Sequence, residues 1–239
     1  MADRRTYRDS CGIARALDLA GERWALLVVR ELLLGPKRFT DLRAGLPNLS
    51  PDVLAQRLRE LEQAGIARRR KLPPPASARI YELTERGAEL EPVLLALGRW
   101  GSRVTLPATP AELSPDAIAI ALKTVFDANA AADLERSYQL QLGEHAFSVR
   151  IADRKIDLAR GEGKAPAARI ETDPGTLTEL LWQGRSIGDA VDAGALRIEG
   201  SRREVRRFLK LFAAPVPATP TPDAAAERRP LPPATAGTL

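Results

Sequence analysis

The run Leu49-Ser50-Pro51-Asp52-Val53-Leu54-Ala55-Gln56-Arg57-Leu58-Arg59-Glu60-Leu61-Glu62-Gln63-Ala64-Gly65 reads as one helix with both ends marked. Ser50 supplies an N-cap oxygen, Pro51 fits the first helical position, and Asp52 faces the positive helix end. Leu49 and Leu54 are placed as a hydrophobic staple, and Gly65 is a stop in the left-handed region. Leu54, Leu58 and Leu61 form the stripe to be buried. Asp52, Gln56, Arg59 and Gln63 fall opposite it at 100° per residue, with Val53 and Arg57 on one flank and Ala55 on the other. A helix with a buried spine and a polar outer edge is suited to entering a groove.

Upstream, Trp24, Leu27, Val28 and Leu32 recur at helical spacing and stop at Gly35-Pro36. A shorter helix precedes them, with Ile13 and Leu17 expected on its inner face. Thr40 is expected to cap a short helix holding Leu42. Downstream, Ile66–Leu72 and Arg79–Leu83 flank the proline-rich residues 73–78, so a hairpin with a basic loop is predicted. Two short helices, a polar-edged helix and a basic hairpin make a winged helix-turn-helix, which places a helix in the major groove. After Thr84, Leu90, Val93, Leu94, Leu97 and Trp100 outline an apolar face on a helix that Pro92 should bend. That face either pairs two copies or completes the core.

Several pieces of this half fall in a recognisable order: Cys11-Gly12, Gly21-Glu22-Arg23-Trp24, Arg38-Phe39-Thr40-Asp41-Leu42, Leu54 to Leu61, Gly65-Ile66, Tyr81-Glu82-Leu83-Thr84 and Trp100-Gly101. Over residues 7–104 the chain resembles HxlR-type bacterial transcriptional regulators. The resemblance implies a homodimeric winged-helix protein that binds double-stranded operator DNA, with 50–64 as recognition helix. Ser50, Asp52, Gln56 and Arg57 are then candidates for base edges or adjoining phosphates, since Gln pairs bidentately with adenine and Arg with guanine. Asp52 either accepts from cytosine or only serves the helix end. Arg59 is assigned to phosphate or solvent. Arg38, Arg70, Lys71 and Arg79 are phosphate or minor-groove candidates, or solvated surface. The resemblance also implies that Cys11 could sense thiol-reactive compounds. Arg4, Arg5, Arg8, Arg15 and a helix start beside it favour a thiolate, and the other reading is an inert, small buried residue.

Charge is divided unevenly. Residues 1–105 hold 19 Lys and Arg against 13 Asp and Glu, and residues 106–239 hold 17 against 18. A basic half beside a neutral one suits a polyanion partner for the first. With one cysteine and one histidine in 239 residues, an internal disulfide and a Cys-rich zinc site are ruled out. No metal and no cofactor are expected. No apolar run reaches membrane-spanning length and the N-terminus has no signal-like segment, so a cytoplasmic protein with no membrane partner is expected. The expected domains are 1–105, a linker at 106–110, 111–213, and a disordered tail over 214–239 with seven prolines.

In the second half, Ser114-Pro115-Asp116 opens a helix through Ile118, Leu122, Val125 and Phe126. Alternating segments at 138–142, 147–151 and 156–158 predict an antiparallel meander, with further strands at 168–172 and 196–200. Asp173-Pro174, Ser186 to Asp189 and Ser201 to Glu204 mark helix starts. Thr172-Asp173, Leu180 to Gly184 and Gly194 to Gly200 make this part similar to a sterol-carrier-protein-like domain, which implies an apolar cavity between sheet and helices. Phe126, Phe147, Leu181, Trp182 and Ile187 are its candidate walls for a small apolar effector. A packed core without a ligand, or a second dimer contact, is the other reading. The overall class is α+β: a mostly helical winged helix-turn-helix, then an α+β module with an antiparallel sheet.

No catalytic residue is assigned. Arg160 to Lys164 lacks the spacing and the hydroxyl of a phosphate-binding loop, and Cys11 and His145 fall in different halves. The residues argue for a sequence-specific DNA-binding regulator of transcription, a homodimeric repressor that responds to a small apolar effector or a thiol-reactive compound, without catalysis. The competing class is a lipid or small-molecule carrier that dimerises through its N-terminal module.

Overall fold

The structure is a computed structural model that describes residues 6–73, 78–104 and 113–212. The expected linker at 106–110 and the expected tail over 214–239 lie outside the described residues. The first helix, α1 (Gly12–Ala20), turns Ala14 and Ala20 inward against α4, whereas Ile13 and Leu17 are 72% and 41% exposed. The inner-face assignment of those two is therefore corrected: the small alanines let the helix pack closely, and the larger side chains point out. Helix α2 (Ala25–Leu32) buries Val28, Val29 and Leu32, and leaves Leu27 exposed. Strand β1 (Lys37–Arg38) leads into α3 (Phe39–Gly45), whose cap is Arg38 rather than Thr40: the Arg38 amide donates to the Asp41 carboxylate at 3.1 Å.

Helix α4 (Pro51–Gln63) follows the sequence closely. Ser50 Oγ accepts from the Val53 amide at 3.4 Å, and Leu49, Leu54, Leu58 and Leu61 are buried. Gly65 sits at φ +67°, and the Ile66 amide closes the helix on the Leu61 carbonyl at 2.9 Å. Strands β2 (Ala67–Lys71) and β3 (Arg79–Leu83) form the hairpin, and β1 adds to it in the order β1-β3-β2. The expected bend at Pro92 is instead a break. Helix α5 (Glu85–Ala88) ends before Leu90, and α6 (Glu91–Gly101) begins with Pro92 in its first turn, where no amide hydrogen is needed.

The second core lies between a five-stranded sheet and its helices. Helix α7 (Pro115–Val125) precedes β4 (Arg136–Leu142), β5 (His145–Ala152), β6 (Lys155–Arg160) and β7 (Ala168–Thr172). Helices α8 (Pro174–Trp182) and α9 (Ile187–Asp192), strand β8 (Arg197–Gly200) and α10 (Arg202–Leu209) complete it. The strand order is β6-β5-β4-β7-β8. The sheet is not wholly antiparallel as expected, because β4 and β7 run parallel with Leu140 opposite Ile170. Since β6 also runs parallel to β4, the residues after it must return across the sheet before β7 starts. Gln139 holds that return. It is fully buried against the alternation of β4, donates to the carbonyls of Phe147 (3.1 Å) and Gly161 (3.3 Å), and accepts from the Gly163 amide at 2.7 Å.

Tyr138 is buried beside Phe208, their rings 5.0 Å apart, and its hydroxyl donates to Glu204 at 3.1 Å. Burial foremost, then the Glu204 charge and hydrogen bond, push its phenol from 10.0 up to about 12. The folded pKa is raised, so its contribution is complete below pH 10 and is lost as pH climbs toward 12. Denaturation at pH 9 and pH 11.5 should show an alkaline loss of up to about 2 kcal/mol that Tyr138→Phe removes. An equal alkaline loss in both chains would contradict this.

The two cores meet across a buried ionic cluster. Lys37 Nζ lies 2.6 Å from both Glu31 and Asp116, Arg30 pairs with Glu31 at 2.9 Å, and Arg160 pairs with Asp116. Ser114 Oγ donates to Glu31 at 2.8 Å while capping α7. Nearby, a Cβ on Gly98 would sit 2.9 Å from the Thr124 side chain, so its absence lets α6 approach α7. Lys123 pairs with Glu91 across the same contact.

Candidate nucleic-acid interface

Helix α4 presents Asp52, Gln56, Arg59 and Gln63 to solvent, together with Ser50 at its start. Their side chains are tied to one another: Gln56 donates to Glu60 at 2.6 Å and accepts from Arg59 at 2.6 Å. Such cross-links fix rotamers on the exposed edge and lower the ordering cost of a contact. Arg57 is placed differently from its sequence assignment. It is only 14% exposed and folds back onto Glu60 at 2.7 Å and Glu22 at 3.2 Å. The carboxylates on its flank of the helix capture it, so in this structure it braces α4 against the segment before α2 instead of pointing outward.

The hairpin sorts its cations by strand alternation. Arg68 and Arg70 share one side and both bind Glu82, at 2.7 and 3.0 Å. Arg69, Lys71 and Arg79 share the other side, with Lys71 directly opposite Arg79. All three are exposed, and no ion pair holds them among the described residues. Like charges set face to face across a hairpin destabilise it, and a phosphate between them would reverse that. Arg70, a sequence candidate, is thus half neutralised. Arg69 is a candidate that sequence reasoning missed, although the period-two pattern of 67–71 was enough to find it. Arg38 is exposed beside this ribbon.

Cys11 is exposed at the start of α1, its amide held by Asp9 at 2.8 Å, so it is not the buried residue of the alternative reading. Of the five effector-wall candidates, Phe147 belongs to the second core and Phe126, Leu181 and Ile187 pack against it. Phe147 is fully buried, with the Arg160 guanidinium 5.2 Å from its ring centre. Phe126 packs on Phe212 at 6.2 Å, and Leu181, Trp182 and Ile187 are half-buried. A cleft of about 630 Å³ lies along Ser137, Ser148, Arg150, Asp157 and Lys164, and none of the five lines it. Between the sheet and the helices, where an apolar cavity was expected, lies a cluster of buried aromatic and aliphatic side chains that includes Tyr138, Phe147, Phe208 and Phe212. Among the described residues no cluster of three potential metal ligands occurs and no helix is long and apolar enough to cross a membrane.

The HxlR-like helix-turn-helix family matches residues 19–108 of this chain. The uncharacterized HTH-type transcriptional regulator YvaP of Bacillus subtilis (strain 168) is 40% identical over 88 residues, 37% of this chain and 82% of that protein. The chain belongs to the HxlR-like helix-turn-helix family. Another relative, the HTH-type transcriptional regulator YodB of the same strain, is 39% identical over 92 residues, 38% of this chain and 82% of its own length. The solved reduced form of YodB from B. subtilis aligns at 36% identity over 42% of this chain and all of that chain, with a TM-score of 0.37. By the family match over residues 19–108 and the β2–β3 hairpin, the N-terminal part is the winged helix-turn-helix of a family of transcriptional regulators.

Proposed function

We propose that the chain is a sequence-specific DNA-binding regulator of transcription that acts as a homodimer in the cytoplasm and carries no catalytic site. The observation that carries this reading is the exposed polar edge of α4 next to an uncompensated cationic ribbon. In it, α4 enters the major groove with Ser50, Asp52 and Gln56 toward the bases, and Arg69, Lys71, Arg79 and Arg38 meet the backbone. Arg57 keeps α4 in place. The exposed apolar side chains of α1 and α6 form the dimer face.

The division at residues 106–110 separates this module from a sterol-carrier-like one. The order of strands and helices supports that reading, and the packed core restricts a small apolar effector to the half-buried edge of Phe126, Leu181, Trp182 and Ile187. Trp182 lies at that edge with its indole nitrogen buried and without a hydrogen-bond partner among the described residues, so the effector would carry one acceptor on an otherwise apolar body. Exposed Cys11 is the thiol through which reactive compounds act.

Lys71→Ala and Arg79→Ala should each weaken binding to every duplex alike, and lower the slope of log affinity against log salt by about 0.9 per lost phosphate contact. Fluorescence anisotropy on specific and scrambled duplexes across 50–300 mM KCl measures both. An unchanged slope, or a changed sequence preference, contradicts the assignment. For the thiol, a Cys11→Ser chain whose DNA binding still responds to diamide would remove that role.

A further inference from the structure

We propose that α10 is a second DNA-binding surface, one that lies on backbone phosphates flanking the site read by α4. Four of its eight residues are arginine, at 202, 203, 206 and 207, and Lys210 follows at its C-cap with helical backbone. At 100° per residue these five cations fall within an arc of about 140°. All five are exposed, and none has an ion pair among the described residues. The opposite side is buried: Val205 and Phe208 are 0% exposed. Glu204, the helix's carboxylate, is turned away to the Tyr138 hydroxyl and to Arg136, 3.9 Å off.

This arrangement works against the helix itself. Arg202 and Arg203 stand in the first turn, where the macrodipole disfavours cations. Like charges also meet at i,i+3 or i,i+4 in the pairs 202/206, 203/206, 203/207, 206/210 and 207/210, each destabilising. A surface that only had to be soluble would mix signs, as the neighbouring β7–β8 pair does with Arg169–Glu199 and Arg197–Glu171. The concentration is local, because residues 106–239 as a whole carry one more acidic than basic group. Arginine forks on a convex helix match phosphate oxygens bidentately.

The partner follows from what is left on the helix. An interfacial membrane helix needs an apolar face to insert, and that of α10 is consumed in the core. A row of phosphates needs only the cationic arc. The inference rests on the reading of α4 only in that α4 delivers the duplex.

The test uses the full chain and a triple variant, Arg203→Gln/Arg206→Gln/Arg207→Gln, checked by circular dichroism and thermal melting for an intact fold. Duplexes selected from a random pool by the wild type are prepared at roughly the length of the selected site and with long flanks on both sides, the flanks being what a phosphate-only contact requires. On the long duplex the variant should bind roughly tenfold or more weakly at moderate salt, and its salt slope should fall by about 2.7 for each α10 engaged. On the short duplex the two chains should match, and Arg→Lys replacements should restore most of the slope. Equal slopes on the long duplex overturn the proposal, and equal losses at both lengths overturn the flank assignment. Sedimentation with phosphatidylserine vesicles that needs the three arginines, with DNA binding unchanged, assigns the helix to lipid and also overturns it. If α4 does not read sequence, selection returns no preferred site, yet the slope difference persists on an unselected long duplex.

Discussion

Glu31→Ala is expected to lower the unfolding free energy by about 3–5 kcal/mol, the range for removing one partner of a buried ion pair. Glu31 is fully buried and joins Arg30, Lys37 and Ser114, so its loss strands a guanidinium and a hydroxyl and leaves Lys37 with Asp116 alone. The effect should reach beyond stability. Lys37 starts the strand beside Arg38, and Ser114 caps the helix that opens the second core. Urea denaturation should show one transition for the wild type and an early, broadened or split one for the variant. Glu31→Gln, which keeps hydrogen-bonding capacity, should fall between. A loss below about 1 kcal/mol, the scale of an exposed pair, would show that the cluster is solvated and does not couple the cores.

A second large effect is expected at the proposed dimer face. Val93, Leu97, Trp100 and Val104 recur at helical spacing along and just beyond α6, and are 54%, 47%, 70% and 61% exposed. Ile13 and Leu17 add to the exposed apolar surface from α1. Covering such side chains contributes about 1.5–3 kcal/mol each before the cost of association is subtracted. Leu97→Asp/Trp100→Asp should therefore convert a dimer at micromolar concentration to a monomer. Operator affinity should drop by about a hundredfold or more, since one winged helix contacts only a half-site. Sedimentation equilibrium and anisotropy measure the two effects. A monomeric wild type, or a variant that stays dimeric, would remove this face from the account.

Legibility in the sequence followed the strength of the local signal. Helix α4 was readable from cap to stop because Ser50, Pro51 and Gly65 mark its ends and three leucines mark its inner side. The strands of the second module were readable from period-two alternation, but pairing direction was not: nothing in Ala168–Thr172 says that β7 joins β4 in parallel, since that depends on the return path held by Gln139. Ile13 and Leu17 are misleading because α1 has two apolar sides, and the alanine side is the inner one. Pro92 predicts a bend because a helix break two residues earlier leaves no mark of its own in the sequence. Arg57 is legible as a cation, but its capture by Glu22 depends on tertiary packing. The Glu31–Lys37–Asp116 cluster joins residues up to 85 positions apart, so no local pattern announces it.

Base selection by α4 is the claim on which the rest depends. Selection of duplexes from a randomised pool by the wild type and by Gln56→Ala, with both pools sequenced, addresses it directly. The wild type should return an inverted repeat with half-sites about one helical turn apart. Gln56→Ala should relax preference at one position in each half-site, at a cost of about 1–3 kcal/mol per lost contact, and leave the other positions intact. Identical base profiles from the two chains, or a wild-type pool with no repeated half-site, would contradict it.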